Sequence, residues 1–304
     1  MQNGKTLKIP NNQIMSAQIN NKDRMRSYAS IFSGASFAQL LKTDDVGFIT
    51  KKVERYDQHN IGKKFNTYSE YLSYIYNILV KEYRCEYVYK NEIINELLLK
   101  KYGTHNTVVI NEFKVGNSVA DMVMFNGTSK AFEIKTELDT DKRLNGQLAD
   151  YRTIFKESYI VTHETLVDKY LNRDDKSGLI AIEKQGRTFK MTEVRKAEIE
   201  NEIDSDILMR SLRTDEYKNI ISTYYGNLPD VSTFQMFHAC KDLMRIIPAT
   251  ELHQLFIDEL KKRKSNTAFL KNYYKEIRQV CLSMHIQPKD YTELNQLLSQ
   301  TISI

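Results

Sequence analysis

Apolar residues recur at helical spacing in two consecutive segments, residues 68–84 and 89–103. Positions three and four residues apart lie on one face of a helix, so this spacing predicts two amphipathic helices. Gly103 ends the second segment, and glycine readily adopts the left-handed conformation that terminates many helices. A further helix is predicted over residues 27–41, inside an otherwise polar stretch that extends to residue 65.

After residue 103 the pattern changes to short runs of β-branched and aromatic residues. Three such runs, TVVINEFKV, VADMVMF and KAFEIKTEL, are separated by turns that contain Gly and Asn. This arrangement predicts a three-stranded antiparallel meander. The chain then passes through a helix over 140–155, a strand over 158–164, a helix over 166–175 and a strand pair over 178–194. Helices that alternate with strands in this way indicate an α/β domain with a mixed sheet.

Composition divides the chain into three parts. Residues 1–65 are polar and partly helical, and residues 66–195 hold the predicted α/β domain. From about residue 196 a charged segment leads into predicted helices that continue to residue 304. A chain of this length accommodates two domains, so we expect residues 196–304 to form a separate helical C-terminal domain.

Overall composition indicates a soluble, cytoplasmic protein. Apolar residues make up 41% of the chain and charged residues 27%, which is ordinary for globular proteins. No run approaches the roughly 18 apolar residues of a membrane span, so we expect no membrane association. The three cysteines include no CxxC pair, which favours neither a disulfide framework nor a zinc knuckle. A net charge of +5 is compatible with a nucleic-acid partner but does not require one.

Two turns predict the register of the meander. A two-residue loop at residues 116–117 places Glu112 opposite Asp121, and a three-residue loop at residues 126–128 places Asp121 opposite Glu133. Opposite residues point to the same face of a sheet. The three carboxylates are therefore expected to form a row across one face of the meander.

A row of this kind has a specific chemical use. Carboxylates about 5 Å apart repel one another and raise one another's pKa unless a cation lies between them. Oxygen ligands suit Mg²⁺ or Mn²⁺, and such an ion binds a phosphate oxygen and lowers the pKa of a bound water. Lys135, two residues after Glu133, shares the same face and can orient that water. The alternative is a solvated sheet face whose acids and lysines pair across strands.

The stretch DMVMFNGTSKAFEIK, with Asp121, Glu133 and Lys135, resembles the core motif of the PD-(D/E)XK nuclease superfamily. In that family an acid on the second core strand and an acid-x-Lys on the third form the metal site, between two helices. The predicted order of elements over residues 68–194 matches this restriction-endonuclease-like core, although Ala120 stands where the family usually has Pro. The surrounding segment also resembles an uncharacterised bacterial branch of the superfamily found in phage-related or mobile-element settings.

The helix after the third strand carries a further resemblance. Gln147 and Tyr151 are one helical turn apart and resemble the Q-x-x-x-Y element of RecB-like members. Lys142 and Arg143 open this helix and are candidate contacts to the DNA backbone.

The third acid of the site is left open by the sequence. The family's acid on the leading helix has only Glu92 and Glu96 as candidates, and both lie away from the apolar face of the predicted helix. The strand register therefore favours Glu112 as the third metal ligand, followed by Glu96.

These features lead to two hypotheses. The resemblance implies a Mg²⁺- or Mn²⁺-dependent nuclease, an endodeoxyribonuclease with RNA as an alternative substrate, acting in phage defence or in competition between mobile elements. Asp121 and Glu133 would bind the metal with help from Glu112, Lys135 would position the attacking water, and Gln147 with Tyr151 would support the site. The helical C-terminal domain would contribute substrate recognition, a homodimer contact or a protein partner. The second hypothesis is a catalytically inactive nuclease-fold protein that binds nucleic acid or a partner.

Overall fold

The fold is built around one six-stranded mixed sheet with helices on both faces. The computed structural model describes residues 21–172, 176–185, 188–263 and 265–304. The strands are β1 (Val108–Val115), β2 (Ser118–Phe125), β3 (Ser129–Lys135), β4 (Glu157–His163), β5 (Gly178–Gln185) and β6 (Thr188–Arg195). They lie in sequence order across the sheet; β3 and β4 pair in parallel, as do β4 and β5, and the other pairs are antiparallel. The predicted α/β class with a mixed sheet is confirmed.

Thirteen α-helices are present in the described ranges. Those before the sheet are α1 (Asn21–Ile31), α2 (Gly34–Thr43), α3 (Gly47–Tyr56), α4 (Tyr68–Glu82) and α5 (Glu86–Glu92), which runs into a π-helix (Ile93–Tyr102). Within the sheet region lie α6 (Leu144–Arg152) and α7 (Val167–Leu171). After it come α8 (Ser205–Ser211), α9 (Thr214–Tyr225), α10 (Thr233–Ile246), α11 (Ala249–Lys261), α12 (Arg278–Ser283) and α13 (Pro288–Leu298). None of the helices in these ranges is long and apolar enough to cross a membrane.

The register of the meander follows from its two turns. Val115 pairs with Ser118 across the first turn, and Phe125 pairs with Ser129 across the second, as predicted. Gly116 and Gly127 occupy the positive φ values, +56° and +96°, that these tight turns demand. The next strand, β3, is buried at all seven of its positions because helices cover both faces of the sheet.

Two hydrophobic clusters form on opposite faces of the sheet. Met122, Met124 and Phe132 belong to a cluster with α1 to α5 and with the chain from Leu270 to Ile302. The residues between them on the strands, such as Val123, belong to a cluster with α6, α8, α9 and α11. Helices after residue 196 thus pack on both faces, and the clusters cross the boundaries expected at residues 65 and 196.

The last part of the chain returns to its first helices. Asn91 of α5 donates from Nδ2 to the carbonyl oxygen of Lys275 (2.8 Å) and accepts from the Gln279 N–H (3.0 Å). The Ile302 N–H donates to the carbonyl oxygen of Asn66 (2.8 Å). These bonds position α5, and α5 borders the site described below.

Several predicted elements differ from the observed ones. The helix predicted over 27–41 is two helices, because α1 ends at Ile31 and a new helix begins at Gly34. The Ser33 hydroxyl caps this second helix by accepting from the Ser36 N–H (3.2 Å). The helix predicted to begin at Tyr89 begins at Glu86 instead. Residues 1–20, 173–175 and 186–187, which include parts of predicted elements, lie outside the described residues.

Candidate active site

Most of the residues predicted for catalysis converge on one cavity of 640 Å³. The cavity lies between strands β2 and β3, the start of α6 and the start of α5. Its lining includes Asp121, Glu133, Lys135, Lys142, Arg143 and Gln147. The turn that leads into α6 carries Lys142 and Arg143, and both are exposed at the rim.

Asp121 and Glu133 are neighbours on adjacent strands. They come directly after the last pair of the ladder between β2 and β3, Met122–Phe132, and Asp121 Oδ2 accepts from the Ile134 N–H at 2.7 Å. Burial raises the pKa of Asp121 to about 7, and the negative charge of Glu133 adds to this effect. The Ile134 N–H and the Lys90 ammonium act in the opposite direction. The fold thus holds two carboxyl groups close together at a site where simultaneous ionisation of both is unfavourable.

Lys135 is hydrogen-bonded to the Glu133 carboxylate of this pair. Its Nζ donates to Glu133 Oε1 at 2.7 Å and to Gln147 Oε1 at 3.4 Å. Both Glu133 and Lys135 are buried, with 2% and 7% of their surface exposed. An ammonium group has three donors and no acceptor, so Lys135 retains a further donor that can act within the cavity.

Tyr151 holds Glu133 from the side of α6. Its hydroxyl oxygen lies 2.6 Å from Glu133 Oε2 and 2.9 Å from the carbonyl oxygen of Val119, and its single proton serves one acceptor at a time. Burial and the charge of Glu133 raise the pKa of Tyr151 far above its ordinary value, so the phenol stays neutral and can donate. Gln147 and Tyr151, both predicted as catalytic, thus contact Lys135 and Glu133.

Helix α6 is fixed to the first turn of the meander by Asp150. Asp150 Oδ2 accepts from the Asn117 N–H (3.1 Å) and from the Ser118 hydroxyl (2.6 Å). A Cβ atom at Gly116 would lie 3.2 Å from the Asp150 carboxyl group, so the turn and the helix fit closely. This anchor sets where Gln147 and Tyr151 meet the strands.

The expectation that Glu112 completes the row of acids is not met. Pairs Asn111–Met122 and Phe113–Ala120 form on either side of it, but Glu112 leaves the ladder with a φ of 55°. Its exposed side chain lines a separate cavity. A residue in the left-handed region turns its side chain away from the alternation of the strand, which explains the difference.

The two other candidates for the third acid lie in a different cavity. Glu92 is buried and accepts from the Tyr76 hydroxyl at 2.6 Å, and burial raises its pKa. Glu96 is paired with Lys100 at 2.6 Å. Both line a cavity that does not include Asp121 or Glu133.

Glu86 is an acid of the candidate active-site cavity that the sequence reasoning missed. It is the first residue of α5, it lines the cavity of Asp121 and Glu133, and its charge contributes to the raised pKa of Asp121. Its Oε1 is 2.6 Å from the Nζ of Lys90. Glu in the first turn followed by Lys four residues later is a signal that could have extended the predicted helix to this point.

The donor set of the cavity fits a hard divalent cation. In the ranges that the structure describes, no group of three or more His, Cys, Asp or Glu side chains is arranged as a metal site. Two adjacent carboxyl groups whose mutual repulsion raises a pKa are nevertheless a site where a cation is favoured. The lining contains five acids and three bases, namely Glu86, Asp121, Glu133, Asp139 and Asp150 against Lys135, Lys142 and Arg143. Asp121 and Glu133 are therefore the residues that could hold such an ion.

Comparisons with known proteins point to a phage family. The family model described as bacteriophage P4 protein cII matches residues 80–295, a range that includes every candidate site residue. Protein cII of Enterobacteria phage P4 is 26% identical over 132 residues, which cover 42% of this chain and 50% of that protein. The chain thus spans about half the length of this curated relative.

A solved structure also matches part of the chain. The SPO1766 protein of unknown function from Silicibacter pomeroyi is 13% identical, with a TM-score of 0.30. The match covers 48% of this chain and 94% of that one. A TM-score at this level supports no statement about fold or function.

Proposed function

This chain belongs to the bacteriophage P4 protein cII family, and we propose that it is a divalent-metal-dependent nuclease with a PD-(D/E)XK core that hydrolyses phosphodiester bonds in DNA. The observation that carries the proposal is the cavity in which Asp121, Glu133 and Lys135 meet. Two carboxylates and an ammonium group on adjacent strands are groups with which a metal-dependent enzyme can hydrolyse a phosphodiester.

The metal would be Mg²⁺ or Mn²⁺, held by Asp121 and Glu133. When bound, such an ion supplies a Lewis acid for a phosphate oxygen and lowers the pKa of a water ligand. Lys135, whose Nζ lies 2.7 Å from Glu133 Oε1, would orient the attacking water and offset the negative charge that develops on phosphorus.

Helix α6 supports these groups. Tyr151 orients the Glu133 carboxylate, and Gln147 holds Lys135 on the side of the cavity. Such contacts keep catalytic groups near one geometry before substrate arrives, which lowers the cost of reaching the transition state.

The DNA backbone is expected to pass the rim of the cavity. Lys142 and Arg143 are exposed there, next to the N-terminus of α6, where the helix dipole adds a partial positive charge. Both features attract phosphate. The relative is a bacteriophage protein, and we extend the proposal to a role in competition between mobile elements or in phage defence.

The test is a cleavage assay on the full chain. Purified protein is incubated with supercoiled plasmid and with linear single-stranded DNA, in Mg²⁺, in Mn²⁺ or in EDTA. We expect cleavage only with metal, and its loss in Asp121→Asn and Lys135→Met. The control is Asp258→Asn, which makes the same carboxyl-to-amide change at an exposed position on α11.

Two outcomes would count against the proposal. Cleavage that survives both substitutions would place the active site elsewhere. Failure to cleave any DNA or RNA with metal present, in protein that still binds nucleic acid or a protein partner, would favour the catalytically inactive alternative.

A further inference from the structure

The cavity of the candidate active site contains an exposed apolar side chain. Most of its lining is charged or polar, and the branched apolar residues described there are Val119 and Ile134. Ile134 is only 3% exposed, whereas Val119 is 47% exposed. Val119 therefore contributes little to the core, and its side chain is available to contact a molecule that enters the cavity.

The fold ties Val119 closely to the candidate metal ligands. Val119 precedes Asp121 by two residues on β2, so their Cα atoms are about 6.5 Å apart. The Tyr151 hydroxyl oxygen lies 2.9 Å from the carbonyl oxygen of Val119 and 2.6 Å from Glu133 Oε2. The same phenol thus contacts the backbone at Val119 and the carboxylate of Glu133. The position of Val119 relative to a phosphate at Asp121 and Glu133 is therefore set by the fold.

Lys114 lies beside Val119 on the neighbouring strand. The two residues pair in the ladder between β1 and β2, and the Cβ atoms of such a pair lie about 5 Å apart on one face. Lys114 is exposed and forms no ion pair with an acid in the described part of the chain, so its ammonium group is available to a phosphate. A nucleic-acid strand that contacts both Asp121 and Lys114 passes over Val119.

This path places a sugar against an apolar surface. Neighbouring phosphates of a strand are joined through one sugar, so a strand with one phosphate at the metal site and the next at Lys114 has that sugar over Val119. Ribose carries a 2′-hydroxyl group and deoxyribose does not. A hydroxyl that gives up water against an apolar side chain and gains no hydrogen bond there is disfavoured.

We propose that Val119 selects deoxyribose over ribose at the candidate active site, and that Lys114 binds the phosphate next to the one that is hydrolysed. The assignment rests on the proposed function, because it needs a phosphate at Asp121 and Glu133. An apolar surface rejects an added hydroxyl only moderately, so the preference for DNA is about tenfold.

The test compares three single-stranded oligonucleotides of one sequence that differ only in the sugar. The sequence contains A, C and G, so the bases are identical, and the sugar is deoxyribose, ribose or 2′-fluororibose. Cleavage with Mn²⁺ gives kcat/KM for each, and fluorescence anisotropy on Lys135→Met protein gives the affinity without cleavage. We expect DNA to exceed RNA about tenfold in both measurements.

The 2′-fluoro oligomer separates the hydroxyl group from the shape of the sugar. Fluorine replaces the hydroxyl and donates no hydrogen bond, so this oligomer should bind as DNA does. Affinity equal to that of RNA would show that the protein recognises sugar conformation instead, and it would overturn the role of Val119.

Substitutions at Val119 test the residue directly. Val119→Thr keeps the shape and offers a hydroxyl partner, so it should reduce the preference for DNA to about threefold or less. Val119→Ile keeps an apolar surface and should keep the preference. Both residues suit an exposed strand position, and melting temperatures confirm that each variant is folded. The control Val194→Thr makes the same change at an exposed valine on β6, at the far edge of the sheet.

Lys114→Met tests the path of the strand. It should weaken the binding of DNA and RNA alike, lower the slope of log affinity against log salt concentration by about one, and leave their ratio unchanged. The control Lys190→Met removes an exposed lysine on β6 and should change none of these quantities. An unchanged slope in Lys114→Met would show that the strand does not contact Lys114.

The outcomes separate this inference from the nuclease proposal. Metal-dependent cleavage with equal rates on DNA and RNA overturns the sugar assignment and leaves the nuclease intact. A DNA preference in binding that Val119→Thr removes, in a protein that cleaves no oligomer, supports the assignment and counts against the nuclease. A preference that survives Val119→Thr means that another residue selects the sugar, and the proposal is wrong. Protein that neither binds nor cleaves any oligomer contradicts both.

Discussion

The substitution Asp121→Asn should stabilise the metal-free protein at pH 8 even though it abolishes cleavage. Burial and Glu133 raise the pKa of Asp121 from 3.8 to about 7, so the folded state disfavours the charged carboxylate. At pH 8 this difference corresponds to at most about 4 kcal/mol of lost stability. Water screens part of it because Asp121 is partly exposed, and an asparagine oxygen can still accept from the Ile134 N–H. We therefore expect a gain of about 2 kcal/mol.

Thermal unfolding in EDTA measures this effect. A gain of that size raises the melting temperature by roughly 3 °C in a chain of this length. The pH dependence gives the sign: a carboxyl group with a raised folded pKa costs nothing below pH 3.8, where both states are protonated, and costs progressively more as the pH rises to about 7. The gain should therefore vanish near pH 3.5 and reach its full size above pH 7. Asp258→Asn serves again as the control.

Addition of Mn²⁺ supplies the second half of the experiment. A cation that binds the folded state should raise the melting temperature of the unsubstituted protein at pH 8 and have little effect on Asp121→Asn. Two results would refute the argument that burial of the Asp121 charge beside Glu133 sets the cost. One is a variant that is less stable than the original protein at pH 8. The other is a variant whose gain in stability is the same at pH 3.5 and at pH 8.

Two further predictions concern helix α6. Tyr151→Phe removes a donor to Glu133, so it should slow cleavage about tenfold and lower the free energy of unfolding by about 1 kcal/mol. Activity and thermal-unfolding measurements on one preparation check both effects. An unchanged cleavage rate would show that the phenol is only structural. Asp150→Ala leaves the Asn117 N–H and the Ser118 hydroxyl without their acceptor, so it should lower the free energy of unfolding, measured by chemical denaturation, by about 2 kcal/mol. Asp150→Asn keeps an acceptor oxygen and should lower it less. Equal losses in the two variants would contradict this reasoning.

The meander was predictable because its determinants are local. Two short turns set the pairing, and strict alternation of side chains then carried Asp121 to the position beside Glu133. The same logic placed Lys135 on the face of Glu133. The length of a tight turn sets which residues pair in the two strands that it joins. The central part of the candidate site could therefore be located without the structure.

The third acid was not predictable by the same means. The register argument assumed that Glu112 keeps an extended backbone, but one residue in the left-handed region is enough to redirect its side chain. Glu86 joins the cavity because α5 begins earlier than its apolar pattern suggested and because α12 fixes it from a distance. Contacts of that kind depend on tertiary packing, which hydrophobic periodicity does not encode.

The helices after residue 196 show the same limit. Their periodicity correctly indicated helices with one buried face, but it does not identify what each face packs against. Those up to residue 261 cover one face of the sheet together with α6, and those after residue 267 join the cluster on the other.

The contact between α5 and α12 has a consequence during synthesis of the protein. Asn91 and Gln279 are 188 positions apart, so the hydrogen bond between them, which fixes α5, forms only after residue 279 has left the ribosome. Contacts of such long separation form late, since the chain must close a large loop before they contribute. The helix that carries Glu86 is therefore expected to settle late, and a nascent chain would reach its mature cavity only after the segment that contains Gln279 has been translated.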